Sequence, residues 1–265
     1  MMNRVTPKKA LGQHFLKDMS VAARIAASID GCKGMPILEI GPGTGALTRF
    51  LLDAGHDVTA VELDLESVQY LEENFPALND RVVAADFLRL DLSTLFNTPF
   101  CVIGNYPYNI SSQIFFKVLD YKELIPCCAG MLQKEVAERL AAAPGRKSYG
   151  IISVLLQAWY DVEYLFTVEP TAFDPPPKVR SGVIRVTRNS RTSLGCDEAL
   201  FKQVVKTAFN QRRKTLRNSL KSLMGKECEC TKLPIFDKRP EQLSVAQFEE
   251  LTRIVEPYIR NNTAQ

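Results

Sequence analysis

The stretch Ile37-Leu38-Glu39-Ile40-Gly41-Pro42-Gly43-Thr44-Gly45-Ala46-Leu47-Thr48 limits what this chain can become more than any other. A short apolar run empties into three glycines at alternate positions, and Leu47, Phe50, Leu51 and Leu52 then recur at helical spacing, which reads as strand, tight turn, helix. Such glycines allow positive φ and let a ligand lie against bare amides, while the first turn of the next helix offers unpaired N–H groups. Glycine turns also serve merely to reverse a chain, so a second feature is needed. It comes 21 residues after Gly41, where Val58-Thr59-Ala60-Val61 ends in Glu62. An acid at the tip of the second strand can accept hydrogen bonds from both ribose hydroxyls of a nucleoside.

From Gly55 onward the strand and helix patterns alternate, the signature of a parallel, doubly wound α/β sheet. Asp18 is placed to cap a first helix with Val21, Ala22, Ile25, Ala26 and Ile29 on one face, after a basic arm from Met1 to Phe15. Strands are expected at 37–40, 58–62, 82–86 (ending in Asp86), 100–104 and 127–132, with helices near 65–75, 112–119 and 134–142. In an open α/β sheet ligands sit beyond the carboxyl ends of the strands, where Gly41, Glu62, Asp86 and Asn105 all fall. Ile151 to Trp159 is ambiguous between helix and strand, 161–168 and 182–187 read as strands, and the prolines of Phe173-Asp174-Pro175-Pro176-Pro177 stiffen the loop between them. Arg188 to Gly195 reads as a linker. Beyond it a helical tail carries the apolar stripe Phe201, Val205, Ala208, Phe209, Leu216, Leu220 and Leu223, and a last helix is expected at 244–255. Arg212 falls on the apolar side of that stripe, so either the helix breaks near Asn210 or Arg212 meets a specific partner.

Composition narrows the function. With 265 residues, 46% of them hydrophobic, the chain can bury a large core, and no run approaches the ~20 apolar residues of a membrane span. A soluble, cytoplasmic protein is expected. Its seven cysteines show no Cys-x-x-Cys pairing and only two histidines accompany them, so reduced thiols and no metal are expected. The net charge is only +3, yet Lys202 to Lys226 holds eight basic residues and Pro175 to Arg191 five more, with no acid in either stretch. Solvated helix faces usually interleave acids, so these runs point to a nucleic acid.

Asn105-Tyr106-Pro107-Tyr108 carries the chemistry. The exocyclic amine of adenine is a poor nucleophile because its lone pair is delocalised into the ring. Accepting both its N–H protons, through the Asn105 side-chain oxygen and the carbonyl of Tyr106 or Pro107, returns that lone pair to nitrogen. Pro107 keeps the acceptors aimed, and Tyr108 offers a ring for a flipped base. Phe173 is either a core aromatic or a second stacking face. Asp86 is placed to accept from a cofactor's adenine, and His14 and Leu16 to touch its amino-acid portion as the arm folds over it.

The combination of Leu11-Gly12-Gln13-His14-Phe15-Leu16, the glycine turn, Glu62, Asp86, Asn105 to Tyr108, Phe173-x-Pro175-x-Pro177-Lys178-Val179 and Gln211-Arg212-Arg213-Lys214-Thr215-Leu216-Arg217 resembles the small-subunit ribosomal RNA adenine dimethyltransferases of the KsgA type. The resemblance implies a Rossmann-like S-adenosylmethionine-dependent methyltransferase sheet ending in an antiparallel hairpin, in a domain 1–190, and a small all-helical, basic RNA-binding domain 191–265. It implies dimethylation at N6 of two adjacent adenosines in the 3′-terminal hairpin loop of 16S rRNA within the 30S subunit, S-adenosylhomocysteine as by-product, a role in late subunit biogenesis, and a monomer. The family's cofactor contacts fall on His14, Leu16, Gly41, Glu62, Asp86 and Asn105, with Gly43 in the same turn. Its catalytic positions fall on Asn105, Tyr106, Pro107, Tyr108 and Phe173. RNA contacts are expected from Lys178, Arg180, Lys206, Arg212, Arg213, Lys214, Arg217 and Lys221. His14 and Tyr106 stand where Asn and Leu are usual. A dinucleotide oxidoreductase would share the glycines and Glu62 but leaves Asn105 to Tyr108 unexplained. The related large-subunit methyltransferases of macrolide resistance and a non-catalytic assembly factor are the nearer alternatives.

Overall fold

Apolar strand runs and one-faced helices can bury their apolar surfaces together only by layering, and the chain does so around one central sheet. A computed structural model describes residues 5–8, 11–78, 80–224 and 228–263, without the side chains of 260–263. Met1 to Arg4 and Lys9 of the basic arm, and Lys226 of the basic tail, lie outside the described residues.

In chain order the elements are β1 (Phe15–Leu16), α1 (Met19–Ala27), β2 (Ile37–Ile40), α2 (Ala46–Asp53), β3 (Val58–Glu62), α3 (Leu65–Asn74), β4 (Val82–Ala84), β5 (Cys101–Asn105), α4 (Ser111–Asp120), β6 (Cys127–Gln133) and α5 (Lys134–Leu140). There follow α6 (Ile151–Gln157), β7 (Tyr160–Val168), β8 (Phe173–Asp174), β9 (Ser181–Arg188), α7 (Glu198–Asn210), α8 (Leu216–Ser219), α9 (Lys221–Met224) and α10 (Val245–Thr263). The sheet order is β4-β3-β2-β5-β6-β9-β7. Strands β4, β3, β2, β5 and β6 run parallel, and β9 pairs antiparallel with β6. From β2 the chain winds outward through β3 to β4, then returns to β5 on β2's other side. That reversal opens a crevice at the carboxyl ends of β2 and β5, the place where this architecture binds ligands.

The helix starts follow the local chemistry. Asp18 accepts from the Ser20 and Val21 N–H groups at the head of α1, and Asp64 from Glu66 at the head of α3. The ambiguous stretch is helical: the Gly150 N–H donates to the Ser153 hydroxyl at 3.0 Å, which starts α6.

By its contacts the chain separates into two compact units, residues 1–138 with 161–188, and residues 139–160 with 189–265. Residues 139–160 thus group with the tail although they precede β7. The first unit holds the sheet and a core in which Ile25, Ile37, Leu51, Ile103, Ala129 and Met131 are fully or almost fully enclosed. In the second, α7 packs on α6 and α10, the Tyr149 ring meets Phe209 at 6.3 Å, and the Gly145 N–H donates to the Glu241 carbonyl at 2.6 Å.

The tail answers one open alternative and departs from expectation in two ways. The helix ends at Asn210, the Gln211 backbone leaves helical geometry at φ −119° and ψ 47°, and Arg212 reaches Glu241 at 3.9 Å, so both explanations of its odd position hold. The final helix passes Val255 to Thr263 with Pro257 inside it, and Ser244 and Gln247 cap its start reciprocally at 3.0 and 3.3 Å. Nor are all the cysteines reduced: Cys228 and Cys230 form a disulfide, a short 3₁₀ turn bringing their Cα atoms to 5.4 Å, while the other five are free thiols. No helix among the described residues is long and apolar enough to cross a membrane.

Candidate active site

All the elements of the site belong to the first unit. The crevice is a cavity of about 1150 Å³, counting its open mouth, lined by the arm, the glycine turn and the ends of β3, β4 and β5. Gly41, Gly43 and Gly45 have φ of 63°, 57° and 77°, a left-handed region that other residues enter at a cost. A Cβ on Gly45 would lie 2.3 Å from the Phe75 ring, so the turn is pressed against α3 as well as bent.

Glu62 ends β3 almost fully buried and closes the turn: its Oε2 accepts from the Gly43 N–H at 3.1 Å, its Oε1 from Leu63 and Asp64 at 2.8 and 2.9 Å. Burial pushes this carboxyl up, and the three N–H bonds work in the opposite sense. Each carboxylate oxygen can take about two partners, so Oε2 keeps one site for a hydroxyl. Asp86, half-buried beyond β4, accepts from the Leu88 N–H at 2.9 Å and sits 3.5 Å from Arg89.

The arm is held by side chains rather than by a helix. Lys8 pairs with Asp64 and, at 3.3 Å, with Glu66, and Gln13 donates to Asp64 at 3.4 Å. Its last residues form β1, antiparallel to β8, with Leu16 opposite Phe173. His14 Nδ1 donates to the Pro175 carbonyl at 2.9 Å, and since a carbonyl only accepts, that nitrogen carries the proton.

Asn105, at the end of β5, donates from Nδ2 to the His14 carbonyl at 3.1 Å, an orientation that leaves Oδ1 as an acceptor on the crevice wall. The Pro107 carbonyl is already occupied by the Ile110 N–H at 3.2 Å and the Ser111 hydroxyl at 3.1 Å, so the Tyr106 carbonyl is the acceptor left to pair with Asn105. The Tyr106 side chain turns away from the crevice: buried, it donates to the Ala129 carbonyl at 2.6 Å and meets the Phe115 ring edge-on at 5.8 Å. Tyr108 is anchored through its hydroxyl to Ser181, and its ring lies 5.5 Å from that of His14.

One expectation fails. Phe173 is 0% exposed and belongs to the main core, because the β1–β8 pairing turns it inward; it presents no stacking face to the crevice. The basic positions fall into two groups. Arg180 pairs with Glu169 at 3.1 Å, Arg212 with Glu241 at 3.9 Å, and Arg217 with Asp237 at 2.6 Å, so acids distant in sequence supply what the local runs lack. Lys178, Lys206, Arg213, Lys214 and Lys221 are exposed.

Sequence reasoning overlooked Glu39. It is 1% exposed at the crevice floor, its Oε2 lacks a hydrogen-bond partner among the described residues, and burial, helped by the Glu62 charge, pushes its carboxyl up to about 8. The signal was an acid inside an otherwise apolar strand, Ile37-Leu38-Glu39-Ile40. A carboxyl raised from 4.5 to about 8 stays protonated in the folded chain where the unfolded chain has ionised. Folding stability therefore falls as pH rises from about 4.5 to about 8. Glu39→Gln is expected to flatten that slope and to melt above the parent at pH 8, the gap closing towards pH 5; parallel melting curves would contradict a buried, protonated Glu39.

Comparison with known proteins agrees with this geometry. The model of the family described as ribosomal RNA adenine dimethylase matches residues 4–255. The chain is 71% identical over 258 residues to ribosomal RNA small subunit methyltransferase A of Parabacteroides distasonis, covering 97% of each chain. It is 63% identical over 263 residues to the protein of that name from Phocaeicola vulgatus, covering 99% of this chain and 94% of the relative. Its fold is similar to the crystal structure of a dimethyladenosine transferase from Plasmodium falciparum, with a TM-score of 0.75 at 22% identity over 94% of this chain and 98% of the other. The 23S rRNA methyltransferase ErmE gives 0.66 at 26% identity, covering 91% and 99%.

Proposed function

The chain belongs to the ribosomal RNA adenine dimethylase family, and from that membership we propose that it dimethylates N6 of two adjacent adenosines in the 3′-terminal hairpin loop of 16S rRNA. It is an S-adenosylmethionine-dependent methyltransferase. The crevice suits that cofactor: a glycine cradle with bare amides, an acid at the end of β3 with hydroxyl-accepting capacity, and Asp86 beyond β4.

The observation that carries the mechanism is the Asn105 carboxamide, tethered by its nitrogen to the arm in the wall of the crevice, which leaves its oxygen as an acceptor. Asn105 Oδ1 and the Tyr106 carbonyl accept the two N–H protons of the target amine, draw the nitrogen towards tetrahedral geometry and expose its lone pair. When bound, S-adenosylmethionine supplies a methyl carbon made electrophilic by its sulfonium. Pro107 fixes the spacing of the acceptors and Tyr108 holds the flipped base by its face. After one methylation a single N–H remains for one of the two acceptors, and the methyl group takes the place of the other proton. The proton leaves the nitrogen after transfer, when it is strongly acidic, so no dedicated base is needed.

Cofactor contacts are assigned to His14, Leu16, Gly41, Gly43, Glu62, Asp86 and Asn105. RNA contacts are assigned chiefly to Lys178, Lys206, Arg213, Lys214 and Lys221, whose exposure supports the reading; Arg180, Arg212 and Arg217 share their charge with acids of the chain itself. The reading takes the 30S subunit in the cytoplasm as the substrate, a monomer as the working form, and a part in late subunit biogenesis. Incubation with labelled S-adenosylmethionine and small subunits lacking these methyl groups is expected to yield N6,N6-dimethyladenosine on nucleoside digestion. Label confined to large-subunit RNA, or its absence from both, would overturn the proposal.

A further inference from the structure

At the end of the sheet opposite the crevice, where β5 and β6 begin, three cysteines far apart in sequence meet. Cys101 and Cys127 open β5 and β6 and are register partners, so their side chains share one face. Cys32, from the turn after α1, closes over them: its N–H donates to the Ile29 carbonyl at 2.8 Å and its carbonyl accepts from Met35 at 3.2 Å. The three Sγ atoms lie within 4.8 Å of one another, and all three residues are buried. Among the described residues no His, Asp or Glu joins that set; His56, on the turn that leads into β3, stays outside it.

We propose that Cys32, Cys101 and Cys127 form a three-sulfur site for a soft, thiophilic monovalent ion of the cuprous class, separate from the methyl-transfer crevice. Thiolate sets select cuprous ions, zinc or iron–sulfur clusters. Zinc closes its structural sites with four ligands, and here a fourth is missing, whereas a cuprous ion is content with three sulfurs. Burial of all three cysteines limits competition from water for the metal. Uptake forms three copper–sulfur bonds and breaks three S–H bonds, the protons passing to the buffer, and leaves a net charge of two minus on the site. The Arg185 guanidinium, already paired with Glu163 at 3.0 Å, offsets a small part of it. Access runs through the turn around Cys32, where Asp30, Gly31, Lys33 and Gly34 are exposed. The ion would tie the end of α1 to β5 and β6, and so stiffen the sheet unit without touching the chemistry.

The test is anaerobic titration of the reduced, full-length chain with Cu(I) against a cuprous chelator such as bathocuproine disulfonate, with thermal unfolding followed in parallel. One equivalent is expected to bind and raise the melting temperature. Cys32→Ala and Cys127→Ala should each weaken binding by at least the roughly 100-fold that loss of even an outer-sphere partner can cost, and abolish the thermal shift. Circular dichroism checks that these variants fold. Cys196→Ala and the double replacement Cys228→Ala with Cys230→Ala should leave binding intact, which separates this site from the Cys228–Cys230 pair. Absence of binding, binding that survives Cys32→Ala but not loss of the 228/230 pair, or displacement of Cu(I) by equimolar Zn²⁺ would each overturn the assignment.

Discussion

Asn105→Ala is expected to lower methyl transfer by about 10²- to 10³-fold in kcat, the cost typical of deleting one preorganised polar contact to a reacting group. The Asn105 nitrogen holds the arm through the His14 carbonyl while its oxygen remains an acceptor in the crevice wall, so the alanine variant loses two contacts together. A second variant separates them. Asn105→Asp keeps an acceptor but loses the donor to His14, and should retain more activity than Ala while binding the cofactor less tightly. Single-turnover assays with unmethylated small subunits, alongside calorimetric measurement of cofactor affinity, give both quantities. Alanine at parental turnover would remove the acceptor mechanism altogether. Loss of cofactor affinity in both variants with an unchanged chemical rate would recast Asn105 as a latch for the arm.

The second large effect concerns stability. Gly104 and Gly130 are register partners on β5 and β6, and the Tyr106 ring lies across both. A Cβ on Gly130 would stand 2.3 Å from the Gly104 carbonyl oxygen and 2.6 Å from Tyr106 Cε2, distances real side chains do not tolerate. Gly130→Ala must therefore push β5 and β6 apart or eject the ring, and is expected to cost about 3 kcal/mol, the upper end for overpacking a core. For a chain of this size that is roughly 6–12 °C in Tm. Displacing the ring also moves the Tyr106 carbonyl, so activity should fall along with stability. In a Tyr106→Leu background the same substitution should cost less, because the ring contacts are gone, yet not nothing, because the backbone contact stays. A fully additive double-mutant cycle would show that ring and glycine do not share their space.

The sheet was legible because its parallel strands are short, mostly apolar runs bounded by turn residues: β2 and β3 lie where the pattern puts them, and most other strand ends agree to within one or two residues. Asp18 announced its helix through residues adjacent in sequence. What stayed hidden depends on partners far along the chain. Phe173 reads equally well as a stacking face or a core residue until Leu16 pairs with it from 157 positions away and turns it inward. Arg180, Arg212 and Arg217 look unopposed within their runs and are opposed by Glu169, Glu241 and Asp237. The break after Asn210 was only half visible: Arg212 on the apolar side of the stripe allowed it without requiring it, and the backbone at Gln211 makes it. Glu39 could have been found, since an acid in a fully buried strand is itself a signal.

The polypeptide visits the helical unit twice, lending it residues 139–160 before returning to complete the sheet. Ile152, Leu155 and Leu156 of α6 are buried in a neighbourhood that includes α7 and α10, which arrive only after residue 189. A chain cut there would strand that helix with a bare greasy side and no companions. Grafting a relative's helical unit onto this sheet accordingly requires two exchanges, one between β6 and β7 and one after β9.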